Sequence, residues 1–145
     1  DPEMKNKINK LVKHREAYRP FAPSILEECQ SEYFESDYAA PFMQMVHIIK
    51  EEKREEIPAV THIDGSGRLQ TVQKEVNPKY WNLIKEFRNL TGTGLVLNTS
   101  FNDNDEPIVC TPKQAIRTFF GTGLHELYMG NYRIVKETTI YRTEE

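Results

Sequence analysis

The stretch Gly94-Leu95-Val96-Leu97-Asn98-Thr99-Ser100-Phe101-Asn102 decides how the chain is read. Leu95, Val96 and Leu97 are consecutive large aliphatics, the pattern of a strand buried on both faces. The next residues turn polar, with two amides and two hydroxyls between Asn98 and Asn102. A buried strand ending in hydrogen-bonding side chains is a common way to hold a ligand at the carboxyl end of a sheet. An extended backbone would put Asn98, Ser100 and Asn102 on one face, with Thr99 and Phe101 facing away. The same residues also fit a strand that runs into an ordinary polar loop, so the flanking sequence has to decide.

Just upstream, Asn77-Pro78 reads as a helix cap with proline at the first helical position. Tyr80, Ile84, Phe87 and Leu90 recur at helical spacing as its apolar stripe, with Trp81 beside it and Gly92 as C-cap. Downstream, 102–107 is a loop and Ile108-Val109 a brief extended piece. Thr111-Pro112-Lys113-Gln114 is a capping box. It starts a helix whose buried face is Ala115, Ile116, Phe119 and Phe120 and which Gly121 ends. Leu124 to Met129 and Tyr132 to Val135 are expected to be strands around the turn Gly130-Asn131. The polar tail 136–145 is expected to be poorly ordered.

The first half of the chain mixes both periods. Asp1-Pro2 begins a helix with Met4, Ile8, Leu11 and Val12 on one face and Lys5, Lys7, Lys10 and Lys13 on the other. It runs into His14-Arg15-Glu16-Ala17-Tyr18-Arg19, and Pro20 ends it or keeps it ended. Phe21 to Leu26 is extended, and Pro23 places it at an edge or start of a sheet. A short helix is expected over Glu27 to Phe34, a loop over Glu35 to Ala40, and a strand over Phe42 to Ile49. The charge run from Glu51 to Glu56 reads as a solvated turn or helical stub. Ala59 to Asp64 and Arg68 to Val72 are expected to form a hairpin about Gly65-Ser66-Gly67. Helices alternate with strands and with hairpins, so the fold class is α/β: a mixed sheet with helices packed against it.

Composition bounds the function. A length of 145 residues suits one domain, and 38% hydrophobic with 28% charged residues suits a soluble globular protein. The net charge of −3 argues against general nucleic-acid binding. No apolar run nears the ~20 residues of a membrane span, and the Asp1-Pro2 opening is not that of a signal peptide. Cys29 and Cys110 lack zinc-site spacing, and the default compartment is the reducing cytoplasm. There is no P-loop and no Gly-x-Ser-x-Gly elbow around Ser100, so neither a P-loop ATPase nor a serine nucleophile is expected.

Three groups of residues can carry chemistry. Lys13, Arg15 and Arg19 can bind phosphate or carboxylate, arginine engaging two oxygens at once and lysine acting as a point charge. Cations at a helix C-terminus are also favoured by the helix dipole, which is a sufficient structural account. Arg68, after the glycine turn, can close over an anion or lie exposed on a strand. Asn98, Ser100 and Asn102 supply neutral hydrogen-bonding groups. His62 and Asp64 share a strand face, but no third ligand accompanies them, so no metal site is assigned.

Several of these motifs together resemble one family. Lys13-His14-Arg15-Glu16-Ala17-Tyr18-Arg19-Pro20-Phe21-Ala22-Pro23 is similar to the opening of the C-terminal domain of O-carbamoyltransferases of the nodulation and antibiotic-biosynthesis type. His62 to Val72, Asn98 to Asn102, Glu106 to Val109 and Thr111-Pro112 follow in matching order, so the resemblance covers about Met4 to Ile134. It implies a YrdC-like fold, a twisted mixed sheet with a concave basic face. It also implies that ATP (with Mg2+) and carbamoyl phosphate react here to give carbamoyl adenylate and pyrophosphate.

A separate N-terminal domain of actin-like ATPase type, holding iron or another metal, would then transfer the carbamoyl group to a hydroxyl acceptor. By motif match, Lys13, Arg19, Arg68, Asn98 and Ser100 line the ATP and carbamoyl phosphate site, with Arg15 and Asn102 beside them; no nucleophile or base is implied. On this reading the chain is a fragment, 1–145 being one domain that does not complete transfer alone. A family segment reading Gly-Pro-Arg-Ala-Leu-Gly is expected just before it. The rival reading is a non-catalytic module that binds a nucleotide or RNA, or docks onto the transferase domain.

Overall fold

The structure, a computed structural model, describes residues 1–137. Nearly all of the expected tail 136–145 therefore lies outside the described residues. The chain is a mixed α/β protein whose contacts divide it into two compact units. One is Asp1–Asn6 with Tyr18–Thr99; the other is Lys7–Ala17 with the chain from Ser100 onward. Helix α1 (Met4–Leu11) opens the chain.

The first unit contains β1 (Ala22–Leu26), a short 3-10 turn (Glu27–Cys29) and α2 (Gln30–Tyr33). Then come β2 (His47–Ile48), β3 (Ser66–Gly67), β4 (Gln70–Val72), α3 (Pro78–Thr91) and β5 (Leu95–Asn98). The main sheet has the order β4-β1-β5. Strand β1 runs parallel to β4, Ser24 opposite Gln70, and antiparallel to β5, Ala22 opposite Asn98. Every residue of β1 is buried, so β1, not the Leu95 stretch, is the central strand.

Pro23 is tolerated there for a geometric reason. The Leu26 N–H donates to the Gly94 carbonyl, so by alternation Pro23 faces Leu97 in a non-hydrogen-bonded pair. Its missing N–H lies on the β4 side, where pairing begins only at Ser24. The proline marks the start of the parallel ladder rather than an edge strand.

Strand β5 departs from its expected burial on both faces. It pairs with β1 alone in this sheet, and only Leu95 is buried while Val96, Leu97 and Asn98 are half-buried. Helix α3 packs on β1 and β5. Its ends are as expected: the Asn77 carboxamide accepts the Tyr80 N–H at 3.2 Å, and Gly92 takes φ +82° while its N–H bonds the Arg88 carbonyl at 2.8 Å. The apolar stripe is only partly used. Ile84 is fully buried, whereas Phe87 is 39% and Leu90 86% exposed, because the small sheet covers one side of the helix.

The expected hairpin over Ala59 to Val72 does not form. Pro58–Val60 is a 3-10 turn, β3 pairs with β2, and β4 pairs with β1. The turn itself is tightly held. Asp64 Oδ1 accepts the Ser66 N–H (3.0 Å) and hydroxyl (2.6 Å), and Gly65 takes φ +78° with the Arg54 guanidinium packed over it. The strand expected over Phe42 to Ile49 shrinks to His47–Ile48, since Met43 adopts φ +56° and interrupts the extended run.

The second unit holds most of α1, then α4 (Pro112–Gly121), β6 (Glu126–Met129) and β7 (Tyr132–Val135). Helix α1 ends at Leu11, before Pro20. The Val12 and Lys13 N–H groups both turn to the Ile8 carbonyl, and His14 takes the left-handed φ of +45°. The Leu11 carbonyl accepts the Gly123 N–H at 2.5 Å, and a Cβ on Gly123 would lie 2.7 Å from Leu11. Helix α4 begins with the expected capping box, Thr111 and Gln114 each bonding the other's N–H. Ala115, Thr118 and Phe119 are buried, but Ile116 and Phe120 are not core: they are 38% and 58% exposed. Strands β6 and β7 form the expected antiparallel hairpin about Gly130.

Candidate functional site

Early termination of α1 decides where Lys13 goes. The residue falls on the basic face of the expected helix, yet it is 3% exposed, and with Asn9 it is a buried part of this segment. Its ammonium donates to the Ser100 carbonyl (3.0 Å) and hydroxyl (3.4 Å) and to the Asn102 carbonyl (2.8 Å) and Oδ1 (2.7 Å). The Ser100 hydroxyl donates to Asn102 Oδ1 at 2.6 Å, and Asn102 Nδ2 donates to the Glu106 carbonyl at 2.7 Å. Residues 87 positions apart thus form one cluster.

All four oxygens around Lys13 are uncharged. Burial pushes its ammonium below the ordinary lysine value; the Arg15 charge acts the same way and Asp103 acts against both. Arg15 Nε donates to Asn9 Oδ1 at 2.8 Å. His14, turned out by its left-handed backbone, places Nδ1 2.8 Å from Asp103 Oδ1. Burial alone would raise the Asp103 carboxyl, but bonds from His14 and from the Asn104 N–H hold it below the usual range. The second unit therefore gathers the cation of Lys13, within reach of the Arg15 charge, and the Ser100 and Asn102 side chains into one polar cluster.

The remaining expected residues belong to the first unit. Asn98 does not continue an extended face with Ser100 and Asn102, because the strand ends at Asn98 and the chain bends at Phe101 and Asn102. Instead Asn98 Nδ2 donates to Gln70 Oε1 at 2.8 Å, which also accepts the Ser24 hydroxyl at 2.8 Å. Ser24 and Gln70 were missed from sequence. The available signal was a serine inside the otherwise apolar run Ala22 to Leu26, since a buried hydroxyl requires a partner.

Arg68 is exposed, as is Arg19. His62 is held below the ordinary histidine value by burial first, then by the charges of Arg68 and Lys5, against Asp64. Lys5, Tyr18, Pro20, His62, Ile63 and Asp64 line a cleft of about 370 Å³ within this unit. His62 and Asp64 do face one another's neighbourhood, both reaching the Ser66 hydroxyl.

Comparison with known proteins gives the context for these groups. The family described as carbamoyltransferase C-terminus matches residues 1–136. The chain is 50% identical to the nodulation protein NolNO of Sinorhizobium fredii, over 92% of this chain and 20% of that protein. It is 47% identical to the nodulation protein NolO of Bradyrhizobium diazoefficiens, over 92% of this chain and 25% of that protein. It is 41% identical to nodulation protein U of Rhizobium tropici, over 70% of this chain and 17% of that protein. The chain spans a fifth to a quarter of the length of the first two relatives. The motifs that carry Lys13, Arg68, Asn98 and Ser100 all lie inside the matched span: the chain belongs to the carbamoyltransferase C-terminus family.

Proposed function

We propose that this chain is the adenylate-forming domain of an O-carbamoyltransferase, with a YrdC-like sheet whose concave basic face takes ATP and carbamoyl phosphate. The Lys13–Ser100–Asn102 cluster carries the reading, because it puts a buried cation against a hydroxyl and an amide. Lys13, Arg15, Arg19 and Arg68 would offset the repulsion of two polyanions, and Asn98, Ser100 and Asn102 would orient them. Atom balance requires one water to enter: carbamoyl phosphate releases orthophosphate, and the carbamate oxygen attacks the ATP α-phosphorus to release pyrophosphate. Such a step needs positioning and electrostatics rather than a protein nucleophile. Magnesium enters with ATP, held by phosphates and water. The carbamoyl group would pass to a hydroxyl acceptor in a metal-bearing N-terminal domain, in the cytoplasm.

The test is made on the full-length protein that carries this chain. With ATP and carbamoyl phosphate it should release pyrophosphate and orthophosphate in equal amounts, and none without carbamoyl phosphate. Pyrophosphate release independent of carbamoyl phosphate, or none at all, would overturn the proposal. One observation favours a second reading, that of a docking module: the Lys13 ammonium is already surrounded by four protein oxygens. Unchanged pyrophosphate release in Lys13→Met would favour it over a ligand role for that residue.

A further inference from the structure

Three side chains on the main sheet fix the orientation of Asn98 by elimination. The Pro41 carbonyl can only accept, so the Gln70 group facing it at 3.2 Å is Nε2. Gln70 Oε1 is then the atom that meets Ser24 and Asn98. Asn98 must therefore present its Nδ2 to Gln70, and the same nitrogen lies 3.6 Å from Met43 Sδ. Both amide hydrogens are directed inward. What remains is Asn98 Oδ1, to which nothing donates among the described residues. Asn98 is half-buried, and its Oδ1 is not among the sealed, unpartnered polar atoms, which are Gln30 Oε1 and His47 Nε2.

We infer that Gln70 is a positioning residue that holds Asn98 Oδ1 as a fixed hydrogen-bond acceptor for an uncharged NH2 group of the ligand. This rests on the proposed function, which offers two such groups: the carbamoyl amide and the adenine amino group. A carboxamide free to rotate accepts or donates with equal ease. One locked by Gln70 distinguishes NH2 from a group that cannot donate. The register supplies the means, since Asn98 stands opposite small Ala22, leaving Gln70 and Asn98 to meet over β1.

The experiment measures dissociation constants on the full-length protein for two matched pairs: carbamoyl phosphate against acetyl phosphate, and ATP against purine riboside triphosphate, which lacks the amino group. Wild type should favour the NH2-bearing member of one pair by about tenfold, the worth of one hydrogen bond, and the discriminating pair names the source. Gln70→Met should bring that ratio to near unity by weakening the NH2-bearing ligand alone. Equal weakening of both members in Gln70→Met would mark a merely structural role and overturn the inference. So would wild-type binding without discrimination in either pair, a result that does not depend on any variant folding. Failure of wild type to bind all four ligands would instead overturn the proposed function, and this inference with it.

Discussion

Lys13 shows what a single residue's neighbours decide. Helical periodicity puts it on the face opposite Met4, Ile8 and Leu11, but α1 stops two residues earlier, at Leu11, and Lys13 is buried. Beyond that stop the Leu11 carbonyl takes the N–H of Gly123, more than a hundred positions away, a contact that no local pattern encodes. The chemistry of the residue was legible, its burial was not. Lys13→Met keeps the apolar stem but leaves the oxygens of Ser100 and Asn102 without their donor. Stability should fall by about 1–3 kcal/mol, read by denaturant unfolding. Arg68→Ala, at an exposed site, should leave unfolding unchanged while weakening ATP binding by more than about 1 kcal/mol. Calorimetry showing equal ATP affinity in both variants and wild type would remove these residues from the site. Gly123→Ala tests the contact with Leu11. Its Cβ would lie 2.7 Å from Leu11 Cβ and carbonyl oxygen, so the chain must shift, at a cost of about 1–3 kcal/mol. An unchanged unfolding midpoint would show that Gly123 and Leu11 are not in this contact.

Among elements, those specified by neighbouring residues were readable and those specified by distant pairing were not. Helices α3 and α4 carry their caps in adjacent sequence, so Asn77, Gly92 and the Thr111–Gln114 box stand where expected. The β6–β7 hairpin, closed by its own two-residue turn, was equally legible. Strand β4 was not, because it pairs with β1 across 46 positions instead of with its neighbour. A tight turn around Asp64, Gly65 and Ser66 supplies the punctuation of a hairpin without its strands. The candidate site divides the same way: its residue types were visible as motifs, but the Ser24–Gln70–Asn98 link exists only through the sheet. Thr111→Ala, which deletes a local cap, should lower stability by about 1 kcal/mol. Circular dichroism melts of the two proteins check it, and equal melting temperatures would show that the box contributes nothing.

At the scale of the whole molecule, acid should destabilise the fold in two separate windows. His47 is 4% exposed, and burial holds it below the ordinary value of 6.5. Its Nδ1 meets the Ser36 hydroxyl and its ring lies edge-on to Phe34 at 6.2 Å, with no acid among these partners to stabilise a cation. His62 is lowered in the same direction, again mainly by burial. The unfolded chain therefore binds protons below about pH 6.5 that the folded chain resists. The contribution of both histidines is present above that pH and is lost as pH falls through the folded values. The carboxylates act lower. The hydrogen bond from Lys53 holds Glu56 below 4.5, the bond from Ser66 holds Asp64 below 3.8, and Arg133 pushes Glu126 down to about 2. Their contribution persists until pH falls below those ordinary values. Unfolding free energy measured from pH 7.5 to 3 should decline first below 6.5 and again below about 4.5. His47→Gln removes a titrating group from the first window only. Its slope between pH 6.5 and 5 should be shallower than that of wild type, and its slope below 4.5 the same. An identical slope in the upper window would show that His47 is not held neutral by the fold.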